Sequence, residues 1–180
     1  VSLNFDLSNS SWASITQGNL VLAIDSDGDF SDGNSTIIET DGLQANGLLF
    51  DQVNLPDGAY FSLLQRKTLR VKAFLSGAFD LQFSLMRDDL RSQNLIPLTD
   101  PYLQNTVIDP QSTILSVTGN DAIVDWVLLE IRDGADSTQV LQQIPLLVQR
   151  DGDLVDLSGN PDLLISVATP NFFISIQHRN

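Results

Sequence analysis

The sequence predicts an all-β chain of two β-sandwich-like modules, with antiparallel strands joined by Asp-Gly turns. Three observations point there. Apolar and polar residues alternate with a period of two in several short runs. Asp-Gly recurs at Asp27, Asp32, Asp41, Asp57, Asp133 and Asp151, and glycine after aspartate suits a tight turn. No apolar pattern with a helical period persists for three turns, and short strands separated by frequent turn signals are typical of a sandwich.

Taken in order, Val1, Leu3, Phe5 and Leu7 alternate with Ser2, Asn4 and Asp6, which gives a strand with one buried face. Residues 8–18 form a polar loop that contains Trp12. Leu20–Ile24 is a short apolar run, read as a buried strand, and Ser35–Thr40 is its return strand. Between them lies Asp25-Ser26-Asp27-Gly28-Asp29-Phe30-Ser31-Asp32-Gly33, with four carboxylates in eight residues. Asp41-Gly42 marks a turn. Gly47–Asn54 and Ala59–Leu64 read as strands joined through Leu55-Pro56-Asp57-Gly58.

A module boundary is expected near residue 67, giving modules 1–66 and 67–180. Up to Arg66 the chain holds nine acids and one base; the totals of 23 and 9 leave fourteen acids and eight bases beyond it. Past the boundary, Val71–Leu75 and Phe79–Leu85 alternate and read as strands with a turn at Ser76-Gly77. Arg87–Asn94 suits a single helical turn, its mixed charges pairing locally. Residues 95–110 are irregular and carry Pro97, Pro101 and Pro110. Thr113–Val117, Ile123–Ile131, Val140–Gln149, Leu154–Leu157, Leu163–Val167 and Phe172–Gln177 complete the strands. Ile123–Ile131 is apolar on both faces, as a central strand is; Trp126 is therefore expected in the core. No internal repeat or low-complexity segment occurs.

Composition narrows the function. The net charge is −14, from 9 basic and 23 acidic residues. A nucleic-acid binder needs a basic footprint, and an anionic membrane surface would repel this chain. The acids are scattered through turns, which serves solubility or binding of a divalent cation. There is no cysteine, so neither a disulfide framework nor a thiolate metal site is expected. No secretion signal or long apolar segment occurs in the sequence.

Asp25, Asp27, Asp29 and Asp32 are the first candidate metal ligands. Alternating carboxylates around a glycine suit a hard cation, and calcium is the expected cofactor. An EF-hand would need glycine at the sixth position and glutamate at the twelfth; Phe30 and Thr36 stand there, so any calcium loop is of another kind. The alternative is an acidic hairpin turn whose carboxylates bond backbone amides. A site with Kd near ~0.1 mM, in ~1 mM calcium, would add roughly 1.4 kcal/mol. Asp151, Asp153 and Asp156 form a second, sparser candidate metal set, which a surface pair with Arg150 and a β-turn explain equally well.

Catalytic patterns are weak. His178 is the only histidine, and no nucleophile elbow accompanies it. No phosphate loop or zinc-ligand spacing occurs, and no pair of carboxylates stands out for glycoside hydrolysis. No catalytic residue is assigned and the chain is expected not to be an enzyme. Trp12 and Tyr102 lie in loops and are the candidate glycan contacts; plugging the end of a sandwich is their other use.

Several stretches form a distinctive series. In the first half these are Val1-Ser2-Leu3-Asn4-Phe5-Asp6-Leu7-Ser8, Leu22-Ala23-Ile24-Asp25-Ser26-Asp27-Gly28-Asp29-Phe30 and Val53-Asn54-Leu55-Pro56-Asp57-Gly58-Ala59-Tyr60-Phe61. In the second half they include Arg87-Asp88-Asp89-Leu90-Arg91, Val117-Thr118-Gly119-Asn120, Asp125-Trp126-Val127, Gln149-Arg150-Asp151-Gly152-Asp153 and Gln177-His178-Arg179-Asn180. In this order they resemble modules of large secreted surface proteins of Bacteroidota. The acidic loop is a shortened form, one Gly-Asp pair less than usual. The resemblance implies export by the type IX route to the cell surface or beyond, and structural, adhesive or filament roles. It also implies strands before Val1 and a pattern continuing past Asn180. Missing strands would leave an open sheet edge for strand addition by copies of the chain or neighbouring modules. The alternatives are a carbohydrate-binding module that takes surface glycans and an accessory domain of a secreted hydrolase.

Overall fold

A computed structural model describes residues 1–7, 19–30, 35–44, 47–167 and 171–179. The chain is all-β, with antiparallel sheets and one four-residue helical turn. It forms two compact units. One comprises Val1–Lys67, Arg132–Gln142 and Leu164–Phe172; the other comprises Thr68–Ile131, Gln143–Leu163 and Phe173–Asn180.

The first unit is a small sandwich. Strands β1 (Leu3–Asp6), β4 (Gly42–Gln44) and β5 (Gly47–Phe50) form one sheet in the order β1-β5-β4. Strands β2 (Leu20–Asp25), β3 (Thr36–Glu39) and β6 (Tyr60–Gln65) form another in the order β3-β2-β6. The pairings within both sheets are antiparallel. Period two explains the packing: Leu3 and Phe5 of β1 turn toward the same core as Leu20, Leu22 and Ile24 of β2 and Leu48 and Phe50 of β5. The Phe5 ring meets Phe50 edge-on, with centroids 5.8 Å apart. Gly47 stands where β5 runs against β1: a Cβ there would lie 2.4 Å from the Phe5 carbonyl oxygen, so no larger residue fits.

The second unit is built on a four-stranded sheet. The strands β10 (Ile123–Asp133), β11 (Val140–Gln149), β12 (Leu154–Val155) and β14 (Phe172–Gln177) lie in the order β12-β11-β10-β14, and all their residues except 132–133, 140–142 and 172 belong to this unit. Nine consecutive residues of β10, Ile123–Ile131, are buried, as expected for a central strand. Trp126 is fully buried among Ile96, Ile108, Ile114, Ile123, Leu147 and Val155. Its indole Nε1 donates to the Pro97 carbonyl at 2.8 Å, which satisfies the one polar atom of the ring. Asp100 fixes the proline-bearing segment from within: Oδ1 accepts the amides of Tyr102 and Gln104, and Oδ2 that of Thr106. The remaining short elements are β7 (Lys67–Leu69), β8 (Phe79–Asp80), β9 (Leu85–Met86), the helical turn α1 (Asp89–Ser92) and β13 (Leu163–Ile165).

Four local expectations are corrected. Phe79–Leu85 is not one strand but the hairpin β8–β9. Asp80 Oδ1 accepts the Gln82 amide and Ser84 adopts a left-handed φ of 55°, which folds the alternating run back and leaves Leu81 and Phe83 exposed. Thr113–Val117 is a 3-10 turn at Ile114–Ser116. Ser112 Oγ accepts the Ile114 amide, and the tight turn lets Ile114 reach the Trp126 cluster. Val71–Leu75 makes one bridge, Lys72 to Asp153, in place of a strand. Gly42 opens β4 opposite Leu49 where a turn is expected.

Candidate functional site

The acidic turn follows directly from β2. Strand pairing with β3 and β6 brings Asp25 to the end of a buried run, so its carboxylate must find donors there. Oδ1 accepts the amides of Asp27 (2.9 Å) and Gly28 (2.8 Å), and Oδ2 accepts the Ser35 hydroxyl (2.8 Å). The Asp27 amide, followed by Ser35 and the Gly28 amide, outweighs burial and lowers the Asp25 pKa from the ordinary 3.8 to about 2. Asp27 Oδ1 in turn accepts the Asp29 amide at 2.9 Å. The two carboxylates thus cap the turn, one step after the other. Gly28 sits at φ 87°, and a Cβ there would lie 3.2 Å from the Tyr60 ring, so the aromatic covers the turn. Asp32, the fourth acid of the set, lies outside the described residues.

The second acidic set is divided by a lysine. Lys72 Nζ lies 3.1 Å from Asp151 Oδ2 and 2.9 Å from Asp153 Oδ1, and the hydrogen bond to Asp153 heads the causes that raise its pKa. Arg150 does not pair with Asp151; it donates to the carbonyls of Met86 and Gly119. Asp156 Oδ1 accepts the amides of Ser158 and Asn160 and the Ser158 hydroxyl. Among the described residues no group of three or more His, Asp or Glu is placed to hold a metal ion.

Of the two loop aromatics, Trp12 lies outside the described residues. Tyr102 packs on the Trp126 cluster, and its hydroxyl donates to the carbonyls of Trp126 (3.1 Å) and Gln177 (3.3 Å). Burial, followed by the nearby Asp125 charge, pushes its pKa up to about 12. Its polar end is therefore committed to the backbone.

The most charged interior point of the second unit is Asp125, on β10 and 1% exposed. Oδ2 lies 3.0 Å from His178 Nε2 and accepts Arg179 Nε at 2.9 Å. Oδ1 is 2.9 Å from an Arg179 terminal nitrogen and accepts the Trp126 amide at 2.9 Å. The guanidinium grips both oxygens, the geometry in which arginine binds a carboxylate best. This centre was not singled out from sequence. The available signal was a carboxylate inside a mostly apolar buried strand, which demands a partner. Which partner was not deducible, because His178 and Arg179 lie 53 and 54 residues away.

Asp125 and His178 also line a cavity of about 570 Å³ within the second unit, together with Phe74, Arg87 and Leu90. Ser76 lines it too, but among the described residues its hydroxyl does not bond His178. The imidazole nitrogen that meets the acid is Nε2. The arrangement is thus an ion cluster that orients His178, without a serine held against the base.

No family model matches the chain, and no curated protein or solved structure is significantly similar to it. Among the described residues no helix is long and apolar enough to cross a membrane.

Proposed function

We propose that this chain is a non-enzymatic structural or adhesive part of an extracellular bacterial surface protein, joined to copies of itself or to neighbouring modules by strand addition. One observation carries the reading. Strand β14 is an edge of its sheet among the described residues, and Phe173 and Ile174 on it are 52% and 45% exposed. Consecutive strand residues face opposite sides, so at Phe173 and Ile174 both faces of this edge strand are open among the described residues. Isolated proteins blunt such edges with charges, proline or a covering loop. Here no charge is placed between Phe172 and Gln177.

Light scattering over a concentration series tests it. The wild-type chain should grow in mass with concentration, and Phe173→Lys with Ile174→Lys should stay monomeric. A wild-type chain that remains monomeric at high concentration and moderate salt would overturn the reading. Salt matters because copies carrying −14 each repel one another until screened.

Calcium belongs to the same proposal, bound at the turn that carries Asp25, Asp27, Asp29 and Asp32. Asp25 is ionised at neutral pH, as aspartates ordinarily are and as a ligand to a hard cation must be. Removing calcium with EGTA should lower the melting temperature. An unchanged melt would leave amide capping as the whole role of these carboxylates.

A further inference from the structure

We propose that the first unit carries a binding site for a small neutral ligand with neighbouring hydroxyl groups, of monosaccharide to disaccharide size. The site is a cavity of about 370 Å³ lined by Phe30, Glu39, Leu64, Arg66, Gln142 and Ser166, all within that unit. Its volume falls at the lower end of small-molecule sites, which pair apolar walls with a few placed polar groups.

Arg66 is the centre of the polar wall. Its side chain is 17% exposed, and burial lowers its pKa below the ordinary guanidinium range. One terminal nitrogen pairs with Glu39 Oε1, and Nε donates to Ser166 Oγ at 3.2 Å. Gln142 Oε1 accepts the Ser166 amide at 3.2 Å, which orients the amide group. Four hydrogen-bonding groups are left without a partner among the described residues: Arg66 Nη1, Gln142 Nε2, the Ser166 hydroxyl proton and Glu39 Oε2. Three are donors and one is an acceptor.

This mixture selects the ligand. A hydroxyl both donates and accepts, so two adjacent hydroxyls can give to the carboxylate and receive from the guanidinium or amide. The Arg66–Glu39 pair has no net charge. An anion would meet Glu39 and the −14 of the chain, and a cation would meet Arg66. Phe30 and Leu64 supply the apolar wall that the C–H face of a sugar ring can cover. The inference does not depend on assembly, and its test does not read oligomeric state.

Chemical-shift titration of the intact chain with glucose, galactose, mannose and maltose tests it, with glucuronate and glucosamine as charged controls. At least one neutral sugar should shift the Arg66 and Gln142 side-chain resonances with a Kd in the millimolar range. Arg66→Ala should weaken binding on the order of tenfold. Glu39→Gln keeps the shape but leaves Arg66 unneutralised, and should turn the preference toward glucuronate; this second variant serves if Arg66→Ala does not fold. Neutral sugars without effect on the wild-type chain, binding undiminished in both variants, or a wild-type preference for a charged sugar would each overturn the proposal.

Discussion

Asp25 and Asp125 are both buried carboxylates, 2% and 1% exposed, and they are stabilised by opposite means. Asp25 in the first unit is held by two backbone amides and a hydroxyl, all within ten residues. Asp125 in the second unit is held mainly by His178 and Arg179, more than fifty residues away. The first centre needs only a local turn. The second exists only when β10 and the 178–179 segment are already together, so it reports long-range structure. Deleting the Asp125 carboxylate strands a cation, whereas deleting that of Asp25 leaves only neutral donors without their acceptor.

That contrast can be broken by experiment. The largest effect should come from Asp125→Asn, which leaves Arg179 without its counter-charge at a partly buried position. A loss of about 3 kcal/mol is expected by urea denaturation. Arg179→Ala in the Asp125→Asn background should then cost much less than in the wild type. Additive losses would show that the pair is not coupled. Gly28→Ala comes next, at about 1 kcal/mol, because alanine is strained at φ 87° and must displace the Tyr60 ring.

Asp25→Asn should have the smallest effect at neutral pH, because the asparagine oxygen can still accept the Asp27 and Gly28 amides. Its signature is in acid. Folding lowers the Asp25 pKa from 3.8 to about 2. The resulting stabilisation is complete above the unfolded value and disappears as the pH falls through about 2. Thermal melts of the wild type between about pH 4.5 and 2 should therefore fall more steeply than those of Asp25→Asn. Parallel curves would mean that the amides contribute nothing to acid stability.

The same contrast explains how much could be read from sequence. β1, β2, β10, β11 and β14 were legible because alternation or an unbroken apolar run specifies a strand on its own. The Asp25 turn was legible as one of two alternatives, since its partners are its neighbours. Phe79–Leu85 misled because its alternation is that of a strand while Asp80 and Ser84 break it locally. Thr113–Val117 misled because Ile114 serves a core assembled from distant residues. The Asp125 cluster and the Arg66 cavity draw on segments far apart in the chain, and no periodicity records that kind of proximity.

The grip of Arg179 on Asp125 has a mechanical side. Tension entering at Arg179 reaches the middle of the sheet along two parallel routes, the ion pairs and the pairing of β14 with β10. Neither route can be unzipped one bond at a time while the other holds. The attachment therefore resists a steady pull better than a frayed strand would.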